Sequence, residues 1–160
     1  MNELVCGSVG TGKTTYIRGL IDSRIDHKEH SMILTNNSSK RIYWKDESDL
    51  FESTSYNDFN ITDDNNTPSS FARYLLNRYI SRVGKKDNMC LFVDEFDFDF
   101  INPDYKTEAF YDAIVELFKT NDISTVFTYN CGSTSKELAF ESVPKRMIKT
   151  ADRVTVLKSM

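Results

Sequence analysis

Cysteine is scarce in this chain, and it is not paired. Cys6, Cys90 and Cys131 are odd in number and far apart, and none belongs to a Cys-x-x-Cys pair. That argues against a disulfide framework and against a thiolate zinc site. Cys6 and Cys90 sit in apolar, strand-like runs and read as reduced core thiols. Also missing is any apolar run near the roughly 20 residues that a membrane helix needs. The start, Met1-Asn2-Glu3-Leu4-Val5, has no basic region ahead of an apolar stretch, so no secretory signal and no membrane partner are expected. These absences together point to the cytoplasm. Internal repeats and low-complexity tracts are lacking as well. Nor is there an excess of positive charge: the net charge is −4 at pH 7, which does not by itself advertise nucleic-acid binding.

What is present is a chain of 160 residues, 39% hydrophobic, long enough for one core. We read residues 1–160 as a single domain. Charge is unevenly spread. Asp46 to Asn66 holds seven acids and no Lys or Arg, whereas Lys136 to Met160 holds six bases against three acids. Such runs usually mark solvated faces. The acidic segment, 46–68, contains Phe51, Tyr56, Phe59 and Ile61 and reads as a partly ordered excursion within the domain.

The most informative stretch is Gly7-Ser8-Val9-Gly10-Thr11-Gly12-Lys13-Thr14, two glycines flanking four residues and then Lys and Thr. Glycine suits a loop that wraps a polyphosphate with its backbone N–H groups turned inward. Lys13 would reach the β- and γ-phosphates, and the Thr14 hydroxyl would join the Mg²⁺ shell. Thr15 follows as a further nucleotide contact. The context agrees: Asn2–Cys6 reads as a strand, and Thr14–Ile25 as a helix with Ile17, Leu20, Ile21 and Ile25 on one face. Its N-terminus would face the anion.

Further strands are expected at Ser31–Thr35, Met89–Val93, Ile123–Tyr129 and Arg153–Leu157, with Arg41–Trp44 as another extended piece. Helices are expected at Pro68–Val83, ended by Gly84, and at Thr107–Thr120, with short helical pieces at Ser135–Phe140 and Pro144–Ile148. Alternation of this kind predicts an α/β fold, three layers around a mainly parallel sheet of about five strands.

The second chemical signature is Leu91-Phe92-Val93-Asp94-Glu95, an apolar strand ending in adjacent acids. Asp94 is placed to hold the Mg²⁺ shell, commonly through water. Glu95 is placed to orient and deprotonate a water aimed at the γ-phosphate, which points to hydrolysis. Asn130, after the strand Ile123–Tyr129, is a candidate γ-phosphate sensor, with Thr128 as the alternative and a plain turn as the bland one. Asp97-Phe98-Asp99-Phe100 reads either as a contact loop or, preferably, as a surface strand extension. Arg73, Arg78, Arg82, Arg146 and Arg153 are candidates for a trans-acting finger, against the commoner role of helix pairing or solvation.

These residues, followed by Val143-Pro144 and Ala151-Asp152-Arg153-Val154, resemble the P-loop ATPases with an additional strand and a catalytic glutamate. Within that class the chain is most similar to the FtsK/HerA-type translocases and viral genome-packaging ATPases. The resemblance implies ATP and Mg²⁺ as ligands, DNA as a partner, a homo-oligomer, and the host cytoplasm for a viral member. Two other readings stay open. One is a nucleoside kinase similar to thymidine kinase, although three dispersed cysteines cannot make the four-cysteine ribbon common there. The other is a nucleotide-switched binding module with little turnover.

Overall fold

Short β-branched and aromatic runs alternate with helices along the chain, and the computed structural model assembles them into one sheet with helices on both faces. Described are residues 1–7, 12–35, 50–55, 65–84, 88–94, 106–130 and 143–157, at 52–55 and 82–83 the backbone alone. The strands are β1 (Asn2–Gly7), β2 (Ser31–Thr35), β3 (Phe51–Ser55), β4 (Cys90–Val93), β5 (Ser124–Asn130) and β6 (Arg153–Val156). The helices are α1 (Lys13–Asp26), α2 (Pro68–Val83), α3 (Thr107–Thr120) and α4 (Lys145–Thr150). The strands lie in the order β3-β2-β4-β5-β1-β6, and every neighbouring pair is parallel.

Four strands are buried along their whole length or nearly so, as expected of a parallel sheet covered on both sides. The two faces have different covers. Leu4, Cys6, Met32, Leu34, Leu91, Val93 and Phe127 pack against Phe71, Leu75 and Tyr79 of α2, Phe110, Ile114 and Phe118 of α3, and Met147 of α4. The opposite face, with Val5, Ile33, Cys90, Phe92 and Val126, packs against Ile17 and Ile21 of α1.

The sheet has six strands among the described residues where about five were expected. The additional one is β3, inside the acidic segment. Phe51 is buried on the α1 face, so its apolar side chain and register with Ser31 prevail over the surrounding charge. The expected elements at Arg41–Trp44 and Ser135–Phe140, the Asp97–Phe100 alternation and Cys131 lie outside the described residues. Cys6 and Cys90 are buried, and burial pushes the Cys90 thiol up to about 12. No described helix is long and apolar enough to cross a membrane.

Helix α2 shows how local chemistry sets a boundary. Thr67 caps it: its hydroxyl accepts from the Ser70 N–H at 3.4 Å, and the Ser70 hydroxyl accepts from the Thr67 N–H at 3.1 Å. Pro68 then supplies a preset φ at the first helical position. Thr67→Ala is expected to lower stability by about 1 kcal/mol, read as a fall in urea midpoint at unchanged slope.

Candidate functional site at the carboxyl edge of the sheet

Side-chain alternation decides which residues meet at the carboxyl ends of the strands. Val5, Ile33, Phe92 and Val126 point to the α1 face. Two residues further on, Gly7, Thr35, Asp94 and Thr128 reach the same face at the same edge. The register agrees, since Val5 pairs with Thr128, and Val93 pairs with both Leu34 and Phe127. In parallel α/β sheets this edge is where ligands bind.

Helix α1 begins at that edge. Gly12 precedes it with φ 88° and ψ 24°, a left-handed conformation that a Cβ would strain. The first helical bond runs from the Tyr16 N–H to the Gly12 carbonyl at 2.8 Å. Unlike α2, α1 has no side-chain cap, and its first turn contains no acid. Its leading N–H groups and the positive end of its dipole thus meet no carboxylate of their own helix.

Lys13 is the first residue of the helix and is 6% exposed, unusually low for an ammonium. Its Nζ donates to the Gly7 carbonyl at 2.9 Å, closing the base of the glycine loop from β1 to α1. Thr14 is half-buried in the first turn, and Thr15 is exposed.

Asp94 is 1% exposed. Its N–H donates to the Leu34 carbonyl at 2.9 Å, extending the ladder with β2 by one step. Its Oδ1 accepts from the Thr128 hydroxyl at 3.0 Å, so β5 holds the side chain. Thr35, buried at the end of β2, and this role of Thr128 both escaped sequence reasoning, because strand register is not written in spacing. Asn130 ends β5, exposed, across from Gly7.

The edge thus brings together Gly7, Gly12, Lys13, Thr14, Asp94 and Thr128, with Asn130 at the end of the neighbouring strand. Ser8, Val9, Gly10, Thr11 and Glu95 lie outside the described residues. No protein-family model matches the chain, and neither does any curated protein. The chemistry of the edge therefore carries the reading. A buried ammonium, an uncapped helix N-terminus and one held carboxylate suit a polyanion accompanied by a hard divalent cation. Among the described residues no three His, Cys, Asp or Glu side chains gather. A Mg²⁺ here would draw most of its oxygens from phosphate and water.

Other charged groups have structural roles. Arg146 Nε donates to Asp112, whose other oxygen accepts from Thr150 at 2.7 Å, fastening α4 to α3. Arg153 lies 3.8 Å from Glu3. Both arginines thus have carboxylate partners within the chain, Arg146 between two helices and Arg153 between neighbouring strands. Glu3, 8% exposed, also accepts from Tyr16 and Thr155, each at 2.7 Å. Burial, then the bond to Glu3, raises the Tyr16 phenol above its usual range. At the opposite edge a groove of about 260 Å³ is lined by Leu20, Arg24, Cys90, Phe92 and Val126. Arg24 is spent there on Ser31, Glu29 and His30, which ties α1 to β2.

Proposed function

We propose that this chain binds ATP at the carboxyl edge of its sheet and hydrolyses it with Mg²⁺, as a P-loop NTPase. The observation that carries the reading is Lys13, buried at the start of α1 behind a left-handed glycine, on the same edge and face as Asp94. The strand order supports it. β5 stands between the glycine-loop strand β1 and the Asp94 strand β4, as an additional strand would in the resembled class.

In this reading the glycine loop wraps the polyphosphate and Lys13 exchanges the Gly7 carbonyl for β- and γ-phosphate oxygens. Bound Mg²⁺ would supply positive charge against the negative charge that builds on the phosphates. Thr14 and Asp94 are the residues that would hold it. Glu95 takes the proton from the attacking water, and Asn130 senses the γ-phosphate. DNA translocation or packaging by a homo-oligomer, in the cytoplasm, follows from the family resemblance and belongs to the same proposal. Lys145 and Lys149, both exposed on α4, are the basic residues offered to DNA phosphates.

The test is phosphate release from Mg²⁺-ATP by the full chain, with and without duplex DNA and with and without nucleosides. Release that DNA accelerates is expected. Transfer to a nucleoside without free phosphate, or binding without turnover, would overturn hydrolysis. DNA affinity measured over a salt series completes it. The expected log–log slope is about −0.9 for each duplex phosphate neutralised, shallower in a Lys145→Ala/Lys149→Ala variant. A flat salt response would remove DNA from the proposal.

A further inference from the structure

Asp94 is fixed from two directions by two different strands. Its backbone N–H is bound to β2 at Leu34, and its carboxylate to β5 at Thr128. Thr128 is wholly buried, and its hydroxyl has one proton to give. That proton goes to Oδ1 of the Asp94 carboxylate, at 3.0 Å. The side chain is β-branched and sits in a strand, where χ1 is restricted, so the direction of the hydroxyl is set by the backbone. Val126, on the same face two residues earlier, meets α1 with methyl groups.

We propose that Thr128 is a positioning residue for Asp94, holding the carboxylate in the one orientation in which it serves a divalent cation beside the phosphates. The inference rests on the cation role given to Asp94 above. Groups that orient a metal's ligands without touching the metal commonly affect its affinity by about 10–100-fold. Thr128 therefore acts on the metal and not on the nucleotide, whose phosphates are met by the glycine loop and Lys13.

The experiment is a Mn²⁺ titration, followed by electron paramagnetic resonance, of the full chain saturated with a non-hydrolysable ATP analogue. Thr128→Val, close in shape but without the hydroxyl, is expected to weaken Mn²⁺ binding by about 10–100-fold. Analogue affinity in excess EDTA should be unchanged, and Thr128→Ser should restore Mn²⁺ binding. Parent-like Mn²⁺ affinity in Thr128→Val overturns the proposal. So does an equal loss of analogue affinity in EDTA, which would make Thr128 merely structural. Should the Val variant fail to melt cooperatively, Thr128→Ala makes the same deletion with less bulk. Asp94→Asn separates the two levels. Unchanged Mn²⁺ affinity there removes the cation role of Asp94 itself. A loss in Asp94→Asn without one in Thr128→Val removes only the positioning role.

Discussion

Glu95→Gln is expected to bind ATP as the parent does and to hydrolyse it about 10²–10⁴-fold more slowly. The amide keeps the shape of the carboxylate but cannot take a proton from water. The expectation draws its force from the neighbouring residue. Asp94 is held through its backbone by β2 and through its side chain by β5, so the chain is anchored at the residue immediately before Glu95. Turnover at saturating ATP and a fluorescent-nucleotide titration of the same variant check both halves. Parent-like turnover would move the general base elsewhere, and a matching loss of affinity would make Glu95 a binding residue.

Lys13→Ala should lose nucleotide affinity. Removing one partner of a desolvated charge pair costs about 2–5 kcal/mol, roughly thirty-fold to several-thousand-fold in Kd. The low exposure of Lys13 puts it in that regime and not among solvated lysines, whose surface pairs are worth about 0–1 kcal/mol. Calorimetric titration with ATP in EDTA reads the loss without interference from the metal. Thermal unfolding of the unliganded variant shows whether the bond to Gly7 also serves the fold. Undiminished affinity would take away the foundation of the phosphate-loop reading.

The parts of this architecture that sequence discloses are those governed by local rules. Thr107–Thr120 could be bounded to the residue because its apolar stripe recurs at helical spacing between polar ends. Pro68 and Gly84 announce both ends of α2 by their backbone preferences. The start of α1 is one residue earlier than periodicity suggests, because Lys13 already has helical backbone while its side chain turns to the Gly7 carbonyl. What the sequence does not disclose is pairing. Strand β3 looks acidic and irregular until its parallel register with Ser31–Thr35 is known. Thr128, the alternative to Asn130 as a phosphate sensor, gains its partner Asp94 only once Phe127 is found beside Val93, which brings the next residue's hydroxyl to that carboxylate. Periodicity assigns a residue to a face, and only the register between strands assigns it a partner.

The position of β1, between β5 and the edge strand β6, carries a kinetic consequence. Its two neighbours in the sheet are β5 and β6, and Asn2 is bonded to residues 123 and 150 positions away along the chain. Closing contacts of such separation is slow, because a long span of chain must be ordered before they form. The β2–β4 pair and the packing of α2 on α3 close much shorter loops and gain burial sooner. A refolding chain is therefore expected to build its frame first and to add β1 late, with the edge strand β6 pairing on it. Until then Gly7 and Lys13 stand apart from Asp94, and the edge that would meet a triphosphate does not exist. On the proposed reading, competence to hold nucleotide would mark completed folding, and a nucleotide present during refolding would have nothing to grip before the final step.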